Sequence, residues 1–150
     1  MQARHTVVLA EAVRAGAVDA GAEVHLIKVD EITEDQWALL DGSDAIVFGS
    51  PTYMGTASGA FHAFAEATSA RWATQAWKDK PAAGFTNSGS KSGDKLHTLQ
   101  FFQILAAQLG MHVDEGAEAV HKADAATAEH LGRRVAETAR VFLAGRAQAA

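Results

Sequence analysis

At 150 residues the chain can hold one domain with one sizeable core, and an apolar content of 48% marks it as folded rather than disordered. A formal net charge of −5 argues against a nucleic-acid partner held through its phosphates and against docking on an anionic membrane. The absence of cysteine excludes disulfides, thiolate catalysis and cysteine-held zinc or iron–sulfur centres.

The opening Met1-Gln2-Ala3-Arg4-His5 contains no apolar segment of a signal peptide, and no apolar run approaches the roughly 20 residues of a membrane span, so a cytoplasmic protein is expected. Leu9, Val13 and Ala17 recur at helical spacing over residues 6–20, and Gly21 stands where a helix stops. Residues 23–29 alternate and carry Val24, Leu26 and Val29, which predicts a strand. Residues 32–40 predict a short helix, with Thr33 as N-cap and Gln36 completing a capping box; Asp41-Gly42-Ser43 ends it. The apolar run 45–49 does not alternate, so it predicts a strand covered on both faces. A polar loop, Gly49 to Gly55, then leads into a helix over 57–70 that turns Phe61 and Phe64 inward.

Residues 71–80, with Trp72 and Trp77, predict a helical or irregular stretch broken by Pro81. A short strand over 82–85 ends in a second polar loop, 86–93. Residues 94–109 predict a long helix with Leu96, Leu99, Phe102 and Leu105 at core spacing and Gly110 as its stop. Residues 111–113 predict a strand, 116–124 a surface excursion, and 127–144 a closing helix with Leu131, Val135, Ala139 and Phe142 inward. There is no internal repeat and no linker, so 1–150 is expected to be one domain. Helices and strands in alternation predict an α/β fold, a parallel sheet with helices on both faces.

A strand that ends in a rigid, glycine-flanked loop and leads into a helix is how open α/β sheets build a ligand crevice. Two such loops occur here. The first offers Ser50, Pro51, Thr52, Tyr53, Met54 and Gly55: a fixed backbone, exposed amides and one aromatic ring. The second offers Thr86, Asn87, Ser88 and Gly89, with Gly93 allowing close backbone approach and His97 one turn into the next helix. The remaining histidines show no metal-ligand spacing such as H-E-x-x-H, and no serine sits in a G-x-S-x-G elbow. No metal site and no catalytic side chain is therefore assigned.

The segments GSPTYMGTASGAF at 49–61, AGFTNSGSKSGDKLHTLQ at 83–100 and HLGRRVAETA at 130–139 resemble, in order, the two flavin loops and the terminal helix of the flavodoxin-like FMN proteins. The nearest resemblance is to NAD(P)H:quinone oxidoreductases of the tryptophan-repressor-binding-protein type and to NADPH-dependent FMN reductases. It implies a three-layer α/β/α sandwich, FMN as cofactor, NAD(P)H as electron donor, and a quinone or similar small acceptor. It also implies a homo-oligomer. The same resemblance admits a flavodoxin-type electron carrier, which does not oxidise NADPH by itself.

The family pattern opens with a buried strand and a phosphate loop. Here only His5 and Thr6, followed by Leu9 to Val13, resemble the end of that pattern. The first, central strand of the 2-1-3-4-5 order is expected to be missing, which would leave residues 23–29 and 45–49 without their shared neighbour. A domain unable to hold FMN is the corresponding third reading. By the resemblance, His5 and Thr6 would meet the phosphate at the start of the first helix, the first loop would meet the ring, and the second would bind its polar edge.

Overall fold

The computed structural model describes residues 2–89, 94–113 and 124–149. In chain order the elements are α1 (Gln2–Asp19), α2 (Glu34–Gly42), β1 (Ile46–Tyr53), β2 (Thr56–Ala57), α3 (Gly59–Ala67), α4 (Ser69–Thr74), β3 (Pro81–Asn87), α5 (Lys95–Gln108), β4 (His112–Val113) and α6 (Asp124–Ala149). Of the expected excursion over 116–124, residues 116–123 lie outside the described residues and Asp124 begins α6.

The sheet runs β2-β1-β3-β4. β1, β3 and β4 are parallel, as expected, and β2 adds a short antiparallel hairpin to the end of β1. Ile46 pairs with Ala82, and the register continues unbroken to Pro51 opposite Asn87.

Strand periodicity divides the core into two layers. Ile46, Phe48 and Ala82 face α3 and α5 and pack with Phe61, Phe64, Phe102 and Leu105. Ala45, Val47, Ala83 and Phe85 face the opposite way and pack with Val13 of α1 and with Leu131 and Val135 of α6. The result is the expected helix–sheet–helix sandwich.

On its second face α1 packs against α6 at backbone distance. A Cβ on Gly16 would lie 1.8 Å from the Glu129 carbonyl oxygen, and one on Gly132 would lie 1.9 Å from that of Val13. Only hydrogen fits at either position, so these two glycines set the closeness of the helix pair. Arg133 also pairs with Asp19 across it.

Several expectations are corrected. Residues 23–29 form no strand: the segment is extended but joins no ladder, and Glu23, His25, Leu26 and Lys28 are exposed. Alternation makes a strand possible, but backbone partners make it real, and among the described residues no sheet edge accepts this one. The polar stretch from Gly49 is not a loop throughout, since β1 runs on to Tyr53 and only Met54 and Gly55 turn, with φ of +50° and +84°. In α5 the inward stripe is Thr98, Phe102, Leu105 and Ala106, whereas Leu96 and Leu99 are exposed. Finally, α1 begins at Gln2, so His5 and Thr6 lie inside its helical ladder instead of at its amino end.

Candidate functional site

The carboxyl ends of β1 and β3 carry both sequence-predicted segments, and the parallel register makes them neighbours. Ser50 pairs with Thr86 and Pro51 with Asn87. The two sheet faces then receive different partners. On the α1 face, the Thr6 hydroxyl donates to the Asn87 side-chain carbonyl at 2.5 Å. On the α5 face, the Thr52 hydroxyl lies 2.7 Å from that of Thr86 and 2.8 Å from that of Thr98. Four chain segments, from α1, β1, β3 and α5, therefore meet at one edge of the sheet.

Buried hydroxyls here are spent on architecture. The Ser50 hydroxyl accepts from the Ser58 amide at 3.0 Å and donates to the Pro51 carbonyl at 3.0 Å. Ser58 in turn caps α3 by accepting from the Phe61 amide. A serine at the N-cap satisfies an amide that the first turn leaves open, so Ser50 fixes where α3 starts. Ser50, Thr52 and Thr98 are all fully buried.

The hairpin tip is the opposite. Tyr53 is 43% exposed and Met54 is wholly exposed. The tip is held from beneath by two histidines: His97 Nδ1 donates to the Gly55 carbonyl at 3.1 Å, and His62 Nε2 lies 3.1 Å from the Thr56 hydroxyl. His62 also packs its ring on Phe101, with centroids 4.5 Å apart. Next to this, Phe85 lies across Gly49, where any Cβ would come within 2.4 Å of the ring.

Most of the sequence-predicted residues are thus brought together: Thr6, Pro51, Thr52, Tyr53, Gly55, Thr86, Asn87 and His97 by pairing or hydrogen bonds, Ser50 and Met54 by chain continuity. Ser88 is half-buried and Gly89 exposed just beyond β3, and His5 is exposed on α1. Gly93 lies outside the described residues. Sequence reasoning missed Thr98, His62 and Ser58. Ser58 was detectable as an N-cap signal ahead of Gly59. Thr98 carried no signal, because a polar residue on an amphipathic helix reads as solvent-facing.

At the other end of the sheet a cavity of about 230 Å³ is lined by Asp41, Lys80, Pro81 and Phe142 among others. It opens at the first residue of β3, a strand length from Asn87. Here lie the described groups whose proton affinity is clearly moved. Burial alone would raise the Asp41 pKa, but hydrogen bonds from Arg71 and Trp77 and the charges of Arg71 and Lys80 together hold it below its ordinary value. Burial lowers that of Lys80, against the pull of Asp41 and Asp44. The chemistry of this end is charged and fixed, whereas that of the carboxyl end is neutral and rich in hydroxyl groups.

The chain is similar to known proteins in sequence and in fold. The sequence model of NADPH-dependent FMN reductase matches residues 2–125. The chain is 44% identical over 99 residues to flavodoxin FldP of Pseudomonas aeruginosa, covering 64% of this chain and 54% of that protein. It is 31% identical over 126 residues to an NAD(P)H dehydrogenase (quinone) of Paracoccus denitrificans, covering 73% of this chain and 61% of the relative. The crystal structure of a WrbA-like flavodoxin from Agrobacterium tumefaciens superposes with a TM-score of 0.80 at 41% identity, covering 95% of this chain and 94% of that one. The chain spans between half and two thirds of the length of the first curated relatives it matches. No described helix is long and apolar enough to cross a membrane.

Proposed function

The chain belongs to the NADPH-dependent FMN reductase family, and from that premise we propose that it binds FMN at the carboxyl ends of β1 and β3 and passes electrons from NAD(P)H to a quinone or similar small acceptor. The observation that carries this reading is the convergence of Pro51, Asn87 and Thr6 at one sheet edge. The residues there fit the group in kind. Tyr53 offers a partly exposed aromatic face, Met54 an exposed apolar one, and Thr86 and Asn87 a polar edge beside them.

FMN, when bound, supplies the hydride and electron chemistry. The protein's part is to bind, orient and shield. Tyr53 would flank the ring at small entropy cost, since it has only two side-chain torsions to fix. Asn87 and Thr86 would hold the polar ring edge, with Ser88 and Gly89 beside them, and Thr6, bonded to Asn87 on the α1 face, would lie with His5 on the phosphate side. No side chain is assigned as general acid or base.

Titration of the purified chain with FMN, followed by quenching of flavin fluorescence, tests the binding; unchanged fluorescence rejects it. NADPH consumption with benzoquinone as acceptor tests the activity. A flavodoxin-type carrier is the second reading, favoured by the 44% identity to flavodoxin FldP. It predicts FMN binding without NADPH consumption until a separate reductase is added. Assembly into a homo-oligomer belongs to the first reading and is supported by the exposed Trp72, Leu96 and Ile104 on α4 and α5; sedimentation at several concentrations tests it.

A further inference from the structure

Tyr53 pairs with Thr56, so the hairpin between β1 and β2 turns on two residues alone, Met54 and Gly55. Their φ values of +50° and +84° have the signs that the tightest hairpin turns demand at both central positions. Gly55 meets that demand freely, and asparagine or glycine would meet it at the first position. Methionine meets it against the crowding of its own Cβ on the backbone. Packing elsewhere would normally offset such strain, yet Met54 is 100% exposed and packs on nothing among the described residues. A strained side chain with no part in the core, at the rim of a candidate ligand site, points to a role outside the fold.

The sulfur atoms of the chain narrow that role. It has three methionines and no cysteine. Met111 is 7% exposed and belongs to the core cluster of Trp77, Leu105 and Leu109. Among the described residues, Met54 therefore carries the one sulfur that solvent reaches freely. Oxidation of a thioether follows that access. The turn itself is held by other groups: His97 Nδ1 donates to the Gly55 carbonyl, and His62 Nε2 lies 3.1 Å from the Thr56 hydroxyl. A chemical change on the Met54 side chain thus leaves the turn in place and alters what its tip presents.

We propose that Met54 is a reversible oxidation site, with hydrogen peroxide as the oxidant, that converts the apolar rim of the cofactor site into a polar one. The sulfur lone pair attacks one peroxide oxygen, and an S–O bond forms as the O–O bond breaks. The departing hydroxide takes the proton from the transferred oxygen and leaves as water. Sulfur loses two electrons and the peroxide gains them. A polar, chiral sulfoxide then stands where an apolar thioether stood. The consequence for binding rests on the FMN reading. A thioether gives up little hydration when a flavin ring covers it, whereas a covered sulfoxide oxygen loses its hydrogen bonds to water and meets no donor on the ring face. The oxidised chain therefore holds FMN more weakly. A methionine sulfoxide reductase with a dithiol as reductant reverses the step, returning the thioether, a disulfide and water.

The test treats the purified chain with hydrogen peroxide in the dark and follows the Met54 and Met111 peptides by mass over time. Met54 is expected to gain one oxygen at least ~10 times faster than Met111. FMN affinity is measured by fluorescence quenching before treatment, after treatment and removal of the peroxide, and after incubation with sulfoxide reductase and dithiothreitol. A loss of about tenfold, recovered on reduction, is expected. Met54→Leu has no sulfur at the tip, so peroxide is expected to leave its affinity where it stood before treatment. The urea midpoint of the treated parent is expected to match that of the untreated chain, because the modified side chain has no part in the core.

Met111 oxidised as fast as Met54, an oxidised parent that binds FMN as before, or an equal loss in treated Met54→Leu would overturn the proposal while leaving the FMN reading intact. A chain that binds no FMN before treatment rejects that reading, and the proposal with it, whatever oxygen Met54 takes up.

Discussion

The two ends of the sheet are built from opposite materials. At the amino end, the Asp41 carboxylate takes Nε and Nη2 of Arg71 at 3.2 Å and 3.1 Å and the indole N–H of the fully buried Trp77 at 2.7 Å. The same guanidinium lies 4.2 Å above the Trp37 ring, and Lys80 donates to the carbonyls of Leu40 and Asp41 at the end of α2. Arg71 complements the Trp37 ring and Lys80 the carboxyl end of α2, and both charges hold the Asp41 carboxylate in the last turn of that helix. At the carboxyl end the corresponding places are taken by Ser50, Thr52, Thr86 and Thr98, neutral groups that turn about one bond. Fixed charges lock the elements together at one end, and buried hydroxyls lock them without charge at the other.

The strongest way to break this contrast is to move α1, because α1 brings Thr6 to Asn87 and has no part in the Asp41 cluster. Gly132→Ala places a methyl carbon where the Val13 carbonyl oxygen now lies 1.9 Å away. Helix backbones cannot yield as a side chain does, so α1 and α6 must part. Loss of about 3 kcal/mol in urea denaturation is expected, together with weaker FMN binding, while the fluorescence of Trp77 in its folded environment stays as in the parent. Gly145→Ala, at a helical glycine with open space around it, serves as the control and should change neither quantity.

The Asp41 cluster supplies the converse. Asp41→Ala leaves the buried Trp77 indole without its acceptor and Arg71 without its carboxylate, at a cost of about 2 kcal/mol, with FMN affinity unchanged. Exposed ion pairs alone contribute little, so most of that loss belongs to the indole. The parent should also show an acid limb. The folded pKa of Asp41 lies below its ordinary 3.8, so its contribution is complete above about pH 4 and is lost as the pH falls through the folded value. Urea midpoints measured downward from neutral pH should fall in the parent more steeply than in Asp41→Ala. Parallel acid limbs would mean that the carboxylate does not stabilise this end.

What the sequence made legible follows the same physical divide. The capping box of Thr33 and Gln36 is present as read, because its parts are three residues apart and need no tertiary partner. The neighbouring of Pro51 and Asn87 followed from chain order and strand alternation. Residues 23–29 were misread because a ladder depends on a neighbour that local alternation does not report. The span from Gly49 to Tyr53 was misread because glycine and proline signal a turn, yet β1 carries both and turns only at Met54. Thr98 was invisible for the reverse reason: the buried stripe of α5 admits a polar residue only because Thr52 waits opposite, and a single helix cannot announce that.

The smallest expected effect sharpens the contrast most, because it separates a hydrogen bond that shapes the site from one that stabilises the fold. His97 is exposed, yet its Nδ1 holds the Gly55 carbonyl and so fixes the turn that carries Tyr53 and Met54. An exposed bond of this kind adds little to global stability, so His97→Ala should stay within about 0.5 kcal/mol of the parent in urea. Freed from His97, the tip samples more conformations, and ordering it again opposes binding. FMN affinity should therefore fall by about threefold. His97→Asn returns a side-chain N–H near the place of Nδ1 and should recover most of that affinity. If the alanine variant binds FMN as the parent does, the hairpin tip is held by β2 and His62 alone.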